Sequence, residues 1–416
     1  MNSVKKMATP VTSALVGNDI RKTKEANCTM ENKPLNQNLS AAKAAKQDEF
    51  YTQYVDIQKE VEAYLEFDPD TFRDKVVYCN CDDPFESNFF KYFAANFNRL
   101  GLKKLITTSY DGSPIAGAQL TFLEYDEGNG KRQKPKVFSV EIEEVTDFDG
   151  DGATGIEDVQ FFLSQNPHTR KPLAEGGDFR SVECIALLKE TDIVVTNPPF
   201  SLFREYVAQL VEHGKKFLII GNTNAIKYKV VFPLIKDNKM WLGCTNFNVG
   251  MFFEVPDDWE HFHHIDKETG RKIARVSTSC WYTNLDHGRH HQPLSLMTMA
   301  ENLKFSKNLK GKAAYERYDN YDAIDVGTYK DIPSDYDGNM GVPITFLDKY
   351  SPEQFEIIWQ ASGNTRASTP TEVLEQMGYS PHPDDRGGCS IIAGRRTYDR
   401  IFIRHRRARP AKRRKK

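Results

Sequence analysis

Short apolar runs alternate with stretches of helical spacing in the first quarter of the chain. The runs at 75–80 and 105–108 are typical of buried strands. Between them, Ser87 can cap a helix that ends at Gly101. The apolar positions on the buried face of this predicted helix are Phe89, Phe90, Phe93, Phe97 and Leu100. A strand, a helix and a second strand with short connections favour a parallel sheet.

The α/β pattern is interrupted and then resumes. Apolar segments at 119–125 and 136–142 flank a glycine-rich turn and predict an inserted hairpin. A strand at 192–196, a helix over 202–213 and a further strand follow. From about residue 245 onward the chain has short strands and Asp, Asn and Pro turns without a repeated α/β unit. We therefore predict an α/β fold with a mostly parallel sheet, followed by a separate irregular α+β region.

Composition divides the chain into four segments. Residues 1–46 are rich in Lys, Asn, Thr and Ala and lack hydrophobic periodicity, so we predict that they are disordered. Residues 47–245 contain the α/β pattern, and residues 246–394 form the irregular region. Residues 395–416 are read as a basic C-terminal tail.

The net charge of −2 conceals an uneven distribution of charge. Residues 1–46 carry about +5 and residues 395–416 about +11, which leaves about −18 on residues 47–394. A strongly basic tail is the electrostatic footprint of a polyanion partner. A solvated tail without any partner is the alternative. Any contact between nucleic acid and the acidic body must come from a locally basic cleft.

Hydropathy and cysteine content limit the class of protein. The mean hydropathy is −0.59, and no apolar run approaches the ~18 residues of a membrane-spanning helix. The N-terminus has no apolar core followed by a cleavage site, so we predict no secretory signal. Seven cysteines without framework spacing are typical of a reducing compartment. We therefore expect a cytoplasmic protein with no membrane contact.

The clearest chemical signal is the tetrapeptide Asn197-Pro198-Pro199-Phe200, directly after the apolar strand at 192–196. In an open α/β sheet, ligands bind outside the carboxyl ends of the strands, which is where this tetrapeptide lies. The two prolines fix φ and remove two backbone N–H groups. The Asn197 side-chain oxygen and the Pro198 carbonyl can therefore accept both protons of a planar amino group. Phe200 can stack on the ring that carries this amine.

Accepting both N–H bonds draws the amine toward a tetrahedral nucleophile whose lone pair points at an incoming electrophile. This geometry suits in-line transfer of a methyl group from a sulfonium donor, in which positioning lowers most of the barrier and no metal is needed. A double-proline loop after a strand can also be purely structural. Its place at the strand end and the aromatic fourth residue favour the chemical interpretation.

The tetrapeptide and several longer blocks resemble one family. The blocks are Asp48-Glu-Phe-Tyr-Thr-Gln53, Val76 to Pro84, Ser87 to Phe90, Gly177 to Ser181, Asp192 to Arg204, and Gly341 to Tyr350. They are similar to the EcoRI-type adenine-specific DNA methyltransferases, within the S-adenosylmethionine-dependent amino methyltransferases that carry Asn/Asp-Pro-Pro-Tyr/Phe. The resemblance spans about 48–400. It implies a class I, Rossmann-like methyltransferase fold, with residues 47–245 as catalytic domain and 246–394 as target-recognition region.

The family's order of elements implies a set of cofactor-binding positions. These are Phe50, Tyr51, Thr52, Asp82, Asp83, Pro84, Asp178 and Phe179. Residues 50–52 would lie against the methionine end of S-adenosylmethionine, and Asp83 would reach its ammonium group. Residues 178–179 resemble the segment that contacts the cofactor's adenine. The usual Gly-x-Gly turn and the acidic residue after the second strand are missing, so Asp82 or Asp111 is the candidate for the ribose.

One aspartate-rich segment resembles a calcium loop. Asp147, Asp149 and Asp151 stand at positions 1, 3 and 5 of an EF-hand pattern, and Gly152 follows. Position 12 is Asp158, a poorer bidentate ligand than glutamate. We favour a loop closed by Asx turns over a calcium site.

Histidines form two clusters about 25 residues apart. They are His261, His263, His264, His287, His290 and His291. No cysteine pairs accompany them, so we predict exposed polar loops or phosphate contacts and no metal site.

The resemblance implies a site-specific adenine-N6 methyltransferase that acts on a flipped base in double-stranded DNA. It implies a monomer and a restriction–modification role, in which a cognate endonuclease acts on the same DNA site without touching this protein. Arg289, Arg317 and Arg366 are candidate base readers. The alternatives are an RNA or protein-glutamine methyltransferase, and a DNA-binding protein on the same fold without catalytic activity.

Overall fold

The computed structural model describes residues 51–80, 87–109, 137–148, 150, 154–166, 169–255, 259–267, 269–363 and 366–406. The strands of the first half are β1 (Tyr51–Thr52), β2 (Val76–Cys79), β3 (Lys104–Thr108), β4 (Phe138–Ile142), β5 (Arg170–Pro172), β6 (Ile193–Thr196), β7 (Lys216–Asn222) and β8 (Trp241–Leu242). The later strands are β9 (Met251–Val255), β10 (His264–Ile265), β11 (Lys272–Val276), β12 (Ser279–Thr283), β13 (Ala323–Asp325), β14 (Asn339–Pro343), β15 (Phe355–Ala361), β16 (Ile391–Ile392), β17 (Arg395–Arg396) and β18 (Arg400–His405).

Short helices connect or cover these strands. They are α1 (Tyr54–Phe67), α2 (Asn88–Ala95), α3 (Phe97–Leu100), α4 (Ile156–Gln165), α5 (Val182–Glu190), α6 (Phe203–Glu212), α7 (Phe232–Lys236), α8 (Met299–Phe305) and α9 (Thr371–Gln376). No helix within the described ranges is long and apolar enough to cross a membrane.

The central sheet carries the predicted strands in a mixed arrangement. Eight strands of the described chain form it, in the order β5-β4-β3-β2-β6-β7-β12-β8. The four middle strands, β3, β2, β6 and β7, run parallel, as the β-α-β pattern predicts. The strands on both sides of this group are antiparallel. The fold is therefore a mixed α/β fold around a parallel centre.

Register places the ends of the parallel strands side by side. Tyr78 of β2 pairs with Ile106 of β3 and with Val194 of β6. Thr196 at the end of β6 pairs with Ile219 of β7. The residues that follow β2, β3 and β6 therefore meet along one edge, which we call the carboxyl edge.

The predicted helical segment between β2 and β3 is confirmed, but it is divided at Asn96 into α2 and α3. Ser87 Oγ accepts hydrogen bonds from the backbone N–H groups of Phe89 and Phe90, at 3.1 and 3.4 Å. The chain then turns at Gly101, where φ is +63°. The five predicted apolar positions of this segment are all buried. Each buried phenylalanine contributes about 1.5–3 kcal/mol to the free energy of unfolding.

The predicted insertion is only partly covered by the structure. Residues 138–142 form β4, which pairs antiparallel with β3 and with β5. The predicted partner segment, 119–125, lies outside the described residues. The pairing of β4 with β5 was not predicted, because three residues of mixed polarity give no strand signal.

Two predicted boundaries do not match the sheets. The strand β12 pairs with β7, with Cys280 opposite Gly221, so the central sheet extends well past residue 245. The prediction of a tail that begins at 395 is wrong for its first residues. The strands β17 and β18 lie within that segment, and β18 pairs with β14 and β15. Ile401, Phe402 and Ile403 are buried. The high arginine content obscured this apolar run.

Candidate functional site

The tetrapeptide after β6 lies at the carboxyl edge, as predicted. Asn197 is half-buried, and its Oδ1 is removed from solvent. Pro198 and Pro199 are buried, and Phe200 is half-buried. A single turn of 3₁₀ helix, Phe200–Leu202, leads directly into α6. The loop is therefore held between the end of a buried strand and the beginning of a helix.

The two proline carbonyls differ in their hydrogen bonding. The Leu202 backbone N–H donates to the Pro199 carbonyl at 3.0 Å and closes the turn. No backbone N–H of the described chain donates to the Pro198 carbonyl. The loop thus carries Asn197 Oδ1 and Pro198 O, the two acceptors that the sequence predicts to take both protons of a planar amino group.

Phe200, the aromatic residue of the tetrapeptide, is supported by the hydrophobic core. The Phe200 ring packs against the core cluster that contains Phe89 and Trp281, and part of the ring stays accessible. The next aromatic residue, Phe203, is buried at the beginning of α6 and contacts Tyr282 with ring centroids 5.2 Å apart. A Cβ on Gly221 would lie 2.4 Å from the Phe203 ring, so this close packing requires glycine on β7.

A buried hydrogen-bond network joins the ends of three adjacent strands. The Thr196 hydroxyl donates to the Asn80 carbonyl, across from β6 to β2. The Thr108 hydroxyl donates to Asn80 Oδ1 at 3.1 Å, and Tyr78 OH lies 3.1 Å from Thr108 Oγ1. All four side chains are nearly inaccessible to solvent. The network connects the residue before Asn197 to the segment that leads into the predicted cofactor loop. Polar residues at the ends of apolar strands were the signal that sequence reasoning missed.

Replacing Thr196 by valine is expected to lower kcat by at least about tenfold, because small displacements at a reacting centre have large effects on rate. The variant leaves the Asn80 carbonyl without this donor, which costs about 1–3 kcal/mol of unfolding free energy. Thr283→Val is the matched control. Thr283 is also fully buried, and its hydroxyl donates to the Phe217 carbonyl at 2.8 Å. Phe217 lies at the amino end of β7, away from the carboxyl edge. Equal kcat values for the two variants would exclude a positioning role for Thr196.

The segment 177–181 also reaches the carboxyl edge. Gly177 has φ +67°, and a Cβ there would lie 2.0 Å from the Ser109 carbonyl oxygen, directly after β3. Both Asp178 carboxylate oxygens accept from Arg180, at 2.9 and 2.7 Å, and this pairing raises the pKa of Arg180. The Phe179 ring is 3% exposed and packs edge-on against Tyr206. Any contact of Phe179 with a ligand would therefore come from its main chain.

The segment 51–52 lies beside the beginning of α2. Tyr51 and Thr52 form β1, which pairs with β9. The Asn88 side-chain amide donates to the Thr52 carbonyl at 2.8 Å. The Thr52 hydroxyl is buried and has no hydrogen-bond partner in the described structure. The other predicted cofactor residues Phe50, Asp82, Asp83 and Pro84, and the ribose candidate Asp111, lie outside the described residues.

The aspartate-rich loop uses its described carboxylates internally. Asp147 Oδ1 accepts from the Gly150 N–H at 2.7 Å, which closes a turn of the predicted type. The Asp158 carboxylate accepts from the N–H groups of Phe148 and Gly155, at 2.8 and 2.7 Å, and thereby caps α4. Asp149 and Asp151 lie outside the described residues.

The second histidine cluster is not the exposed loop that was predicted. His287 is buried and contacts the Leu242 carbonyl at 3.1 Å. His290 is buried and stacks on Trp241, with ring centroids 4.3 Å apart. Burial and the neighbouring histidines lower the pKa of His290 to about 4, so this ring is neutral at pH 7. The part of the chain that was described contains no group of three side chains suited to a metal ion.

The three arginines predicted to read bases are each held by partners within the chain. Arg289 donates to the Cys244 carbonyl and to Asp348. Arg317 pairs with Asp322, and Arg366 contacts Tyr379 and Asp385. Each of the three guanidinium groups therefore has a carboxylate partner in this conformation.

A mixed α/β sheet that presents Asn-Pro-Pro-Phe at the carboxyl edge of its parallel strands is consistent with a methyltransferase. The family described as "Adenine-specific methyltransferase EcoRI" matches residues 38–406. The chain belongs to this family and is an adenine-specific methyltransferase.

Two similar proteins illustrate the relationship. The type II methyltransferase M.EcoRI of Escherichia coli is 47% identical over 332 residues, which cover 78% of this chain and 89% of that protein. The type II methyltransferase M.MpnI of Mycoplasma pneumoniae is 36% identical over 373 residues, which cover 88% and 98%. No solved structure matches the chain significantly.

Proposed function

We propose that this protein methylates the N6 amine of adenine at a specific sequence in duplex DNA, as the modification enzyme of a restriction–modification system. Membership of the adenine-specific family supports adenine as the target base. The observation that carries the chemistry is the pair of acceptors Asn197 Oδ1 and Pro198 O at the carboxyl edge. The parallel centre of the sheet supports a class I, Rossmann-like methyltransferase fold.

The acceptor pair determines how the amine reacts. Hydrogen bonds from both N6 protons to Asn197 and Pro198 direct the nitrogen lone pair away from the loop. S-adenosylmethionine would supply the methyl group, with the N–C bond forming as the S–C bond breaks. The methylated nitrogen would release one proton to solvent, while Asn197 Oδ1 and Pro198 O hold the amine in place. Pro199 keeps the loop rigid, and the accessible part of Phe200 stacks on the adenine ring.

The chain's residues fit S-adenosylmethionine, which supplies the electrophilic methyl group. Among the described residues the buried Thr52 hydroxyl has no hydrogen-bond partner. It adjoins the beginning of α2, which follows the β2 end of the carboxyl edge. A ligand there can satisfy this hydroxyl, whose burial without a partner is costly. Tyr51 and the segment 177–179 would complete the site with Phe50, Asp82, Asp83 and Pro84.

Access to the amine requires base flipping. The N6 atom is paired inside a duplex, so the adenine must leave the stack to reach Asn197, which costs a few kcal/mol. Contacts with phosphates and flanking bases offset this cost. We assign target recognition to residues 246–394, and we expect a cytoplasmic monomer. A cognate endonuclease would share the DNA site without direct contact.

Transfer of labelled methyl from S-adenosylmethionine to unmethylated genomic duplex DNA tests the proposal. The expected product is N6-methyladenine at one sequence, which sequencing of modified positions would identify. Label in RNA or in protein glutamine, with none in DNA, would replace the proposed substrate. Absence of both label and cofactor binding would leave a non-catalytic DNA-binding protein.

Removal of residues 407–416, which contain seven Lys or Arg residues, is expected to weaken DNA binding and flatten its salt dependence. Each lost phosphate contact lowers the slope of log K against log salt by ~0.9. The deletion begins at 407 because Arg406 donates from its backbone N–H to the Gln354 carbonyl at 2.9 Å and thereby anchors the end of β18. An unchanged slope would mean that these residues do not contact DNA.

A further inference from the structure

The C-terminal part of the chain contains a two-stranded hairpin. Its strands are β16 and β17, joined by Ala393 and Gly394 with φ of +48° and +70°. Positive φ at both turn residues is typical of a two-residue hairpin turn. The Gly394 N–H donates to Asp319 Oδ2 at 2.8 Å, which fixes the turn against the body of the protein.

The hairpin exposes two arginines and a tyrosine. Arg395 and Arg396 are both exposed, and neither forms an ion pair with a carboxylate in the described ranges. Arg396 Nε donates to the Asp384 carbonyl at 2.7 Å, which orients its guanidinium. Tyr398 follows directly and is 88% exposed. In contrast, the three candidate base readers, Arg289, Arg317 and Arg366, each pair with a carboxylate within the chain.

The residues on both sides of Tyr398 are held in place by hydrogen bonds and ion pairs. Thr397, before it, bonds to Ser390 through its backbone N–H at 2.9 Å and its hydroxyl at 2.8 Å. Asp399, after it, pairs with Lys227 at 2.8 Å. Arg400 pairs with Asp325 at 2.8 Å, and both of these side chains are nearly buried. Thr397, Asp399 and Arg400 are thus held by contacts within the chain, and the Tyr398 side chain between them faces solvent.

This surface lies near the carboxyl edge. Lys227 ends the 3₁₀ turn Thr223–Lys227, which follows β7 directly. Asn222 is the third residue after Ile219, the partner of Thr196. At about 3.3 Å per strand residue and 2 Å per 3₁₀ residue, the path from Ile219 to Lys227 covers about 20 Å. The Lys227–Asp399 ion pair continues this path to Tyr398, which places Tyr398 within about 40 Å of Asn197. A DNA-binding footprint of about 1,000 Å² or more extends over such a distance.

We propose that Arg395, Arg396 and Tyr398 form a DNA-contacting surface within the same footprint as the carboxyl edge. The two arginines bind phosphates of the duplex, and Tyr398 stacks against a sugar or a base of the bound DNA. Unpaired cations next to an exposed aromatic ring favour a nucleic acid as partner. This assignment rests on the proposed function.

The charge of the surface is tested with the double variant Arg395→Gln/Arg396→Gln in the full-length protein. The slope of log K against log salt for duplex DNA is expected to fall by about 1.8, the value for two phosphates. Arg395→Lys/Arg396→Lys should keep the wild-type slope, because it keeps both charges. Lys75→Gln/Lys103→Gln is the matched control, since both lysines are exposed at the opposite, amino edge of the sheet.

The aromatic contact is tested with Tyr398→Ala. Affinity for duplex DNA is expected to fall about tenfold with an unchanged salt slope, since stacking contributes about 1–3 kcal/mol per base without charge neutralisation. Tyr398→Phe should keep most of the affinity. Because Tyr398 is almost entirely exposed, thermal unfolding should be unchanged in both variants.

The outcomes separate this assignment from the proposed function. If the wild-type protein methylates DNA while the arginine variant keeps the wild-type slope and Tyr398→Ala keeps the affinity, the surface assignment is wrong and the function stands. Loss of affinity equal to that of the Lys75/Lys103 control would also overturn it, since it would reflect net charge alone. If wild-type protein neither binds nor methylates DNA, the proposed function itself fails.

Discussion

Replacing Asn197 by alanine is expected to lower kcat by about 10²–10³-fold while S-adenosylmethionine binds with nearly wild-type affinity. The variant removes one of the two acceptors that orient the N6 lone pair. Losing a single preorganised hydrogen-bonding group at a reacting centre has an effect of this size, equal to about 3–4 kcal/mol of activation free energy. Single-turnover methylation of a duplex and calorimetric titration of the cofactor measure the two quantities separately.

Asn197→Asp is the matched variant for this prediction. It keeps an acceptor oxygen at the same distance from the main chain, and the family pattern allows Asp or Asn at this position. We expect a smaller loss of kcat than for alanine. If cofactor affinity falls in parallel with kcat in the alanine variant, Asn197 supports the structure of the edge and does not bind the amine.

Replacing Gly177 by alanine is expected to lower the free energy of unfolding by about 3 kcal/mol or more and to weaken cofactor binding at least tenfold. The added Cβ would stand 2.0 Å from the Ser109 carbonyl oxygen, and the main chain there cannot move without shifting the end of β3. Overpacking contributes about 1–3 kcal/mol and the left-handed backbone about 1–2 kcal/mol. Chemical denaturation and cofactor titration provide both values.

Gly214→Ala separates the two causes. Gly214 has φ +62°, close to that of Gly177, but no atom lies within 4 Å of a Cβ there. We therefore expect only the backbone cost, about 1–2 kcal/mol, and unchanged cofactor affinity. If Gly177→Ala lowers the free energy of unfolding and the cofactor affinity no more than Gly214→Ala does, the 177–181 segment can shift to make room for the Cβ. In that case it does not determine the shape of the site.

Some features could be predicted because their determinants are close in sequence. The strands at 75–80, 105–108 and 192–196 are short apolar runs, and the helix after Ser87 has its cap, its apolar face and its terminal glycine within 15 residues. The position of Asn197 at a strand end follows from the same local pattern. The family resemblance came from contiguous blocks and is confirmed by the match over residues 38–406.

Other features depend on residues far apart in the chain. The bond from Thr196 to Asn80 joins residues 116 positions apart, and no periodicity indicates it. The burial of Phe179 under Tyr206 likewise depends on how α6 packs against the sheet. The resemblance implied that the segment 178–179 contacts the cofactor's adenine, and only this packing shows that the Phe179 side chain is buried.

The sequence by itself determined the parallel centre of the sheet, the capped aromatic helix and the place of the Asn-Pro-Pro-Phe loop at a strand end, since local spacing and residue type are sufficient for these. Only the tertiary structure decided that β12 and β18 join sheets beyond the predicted boundaries, because strand pairing is non-local. It also decided which arginines have an ion-pair partner. Arg289, Arg317 and Arg366 each pair with a carboxylate of the chain. Arg395 and Arg396 are exposed and form no ion pair in the described ranges, so their charges can neutralise a phosphate.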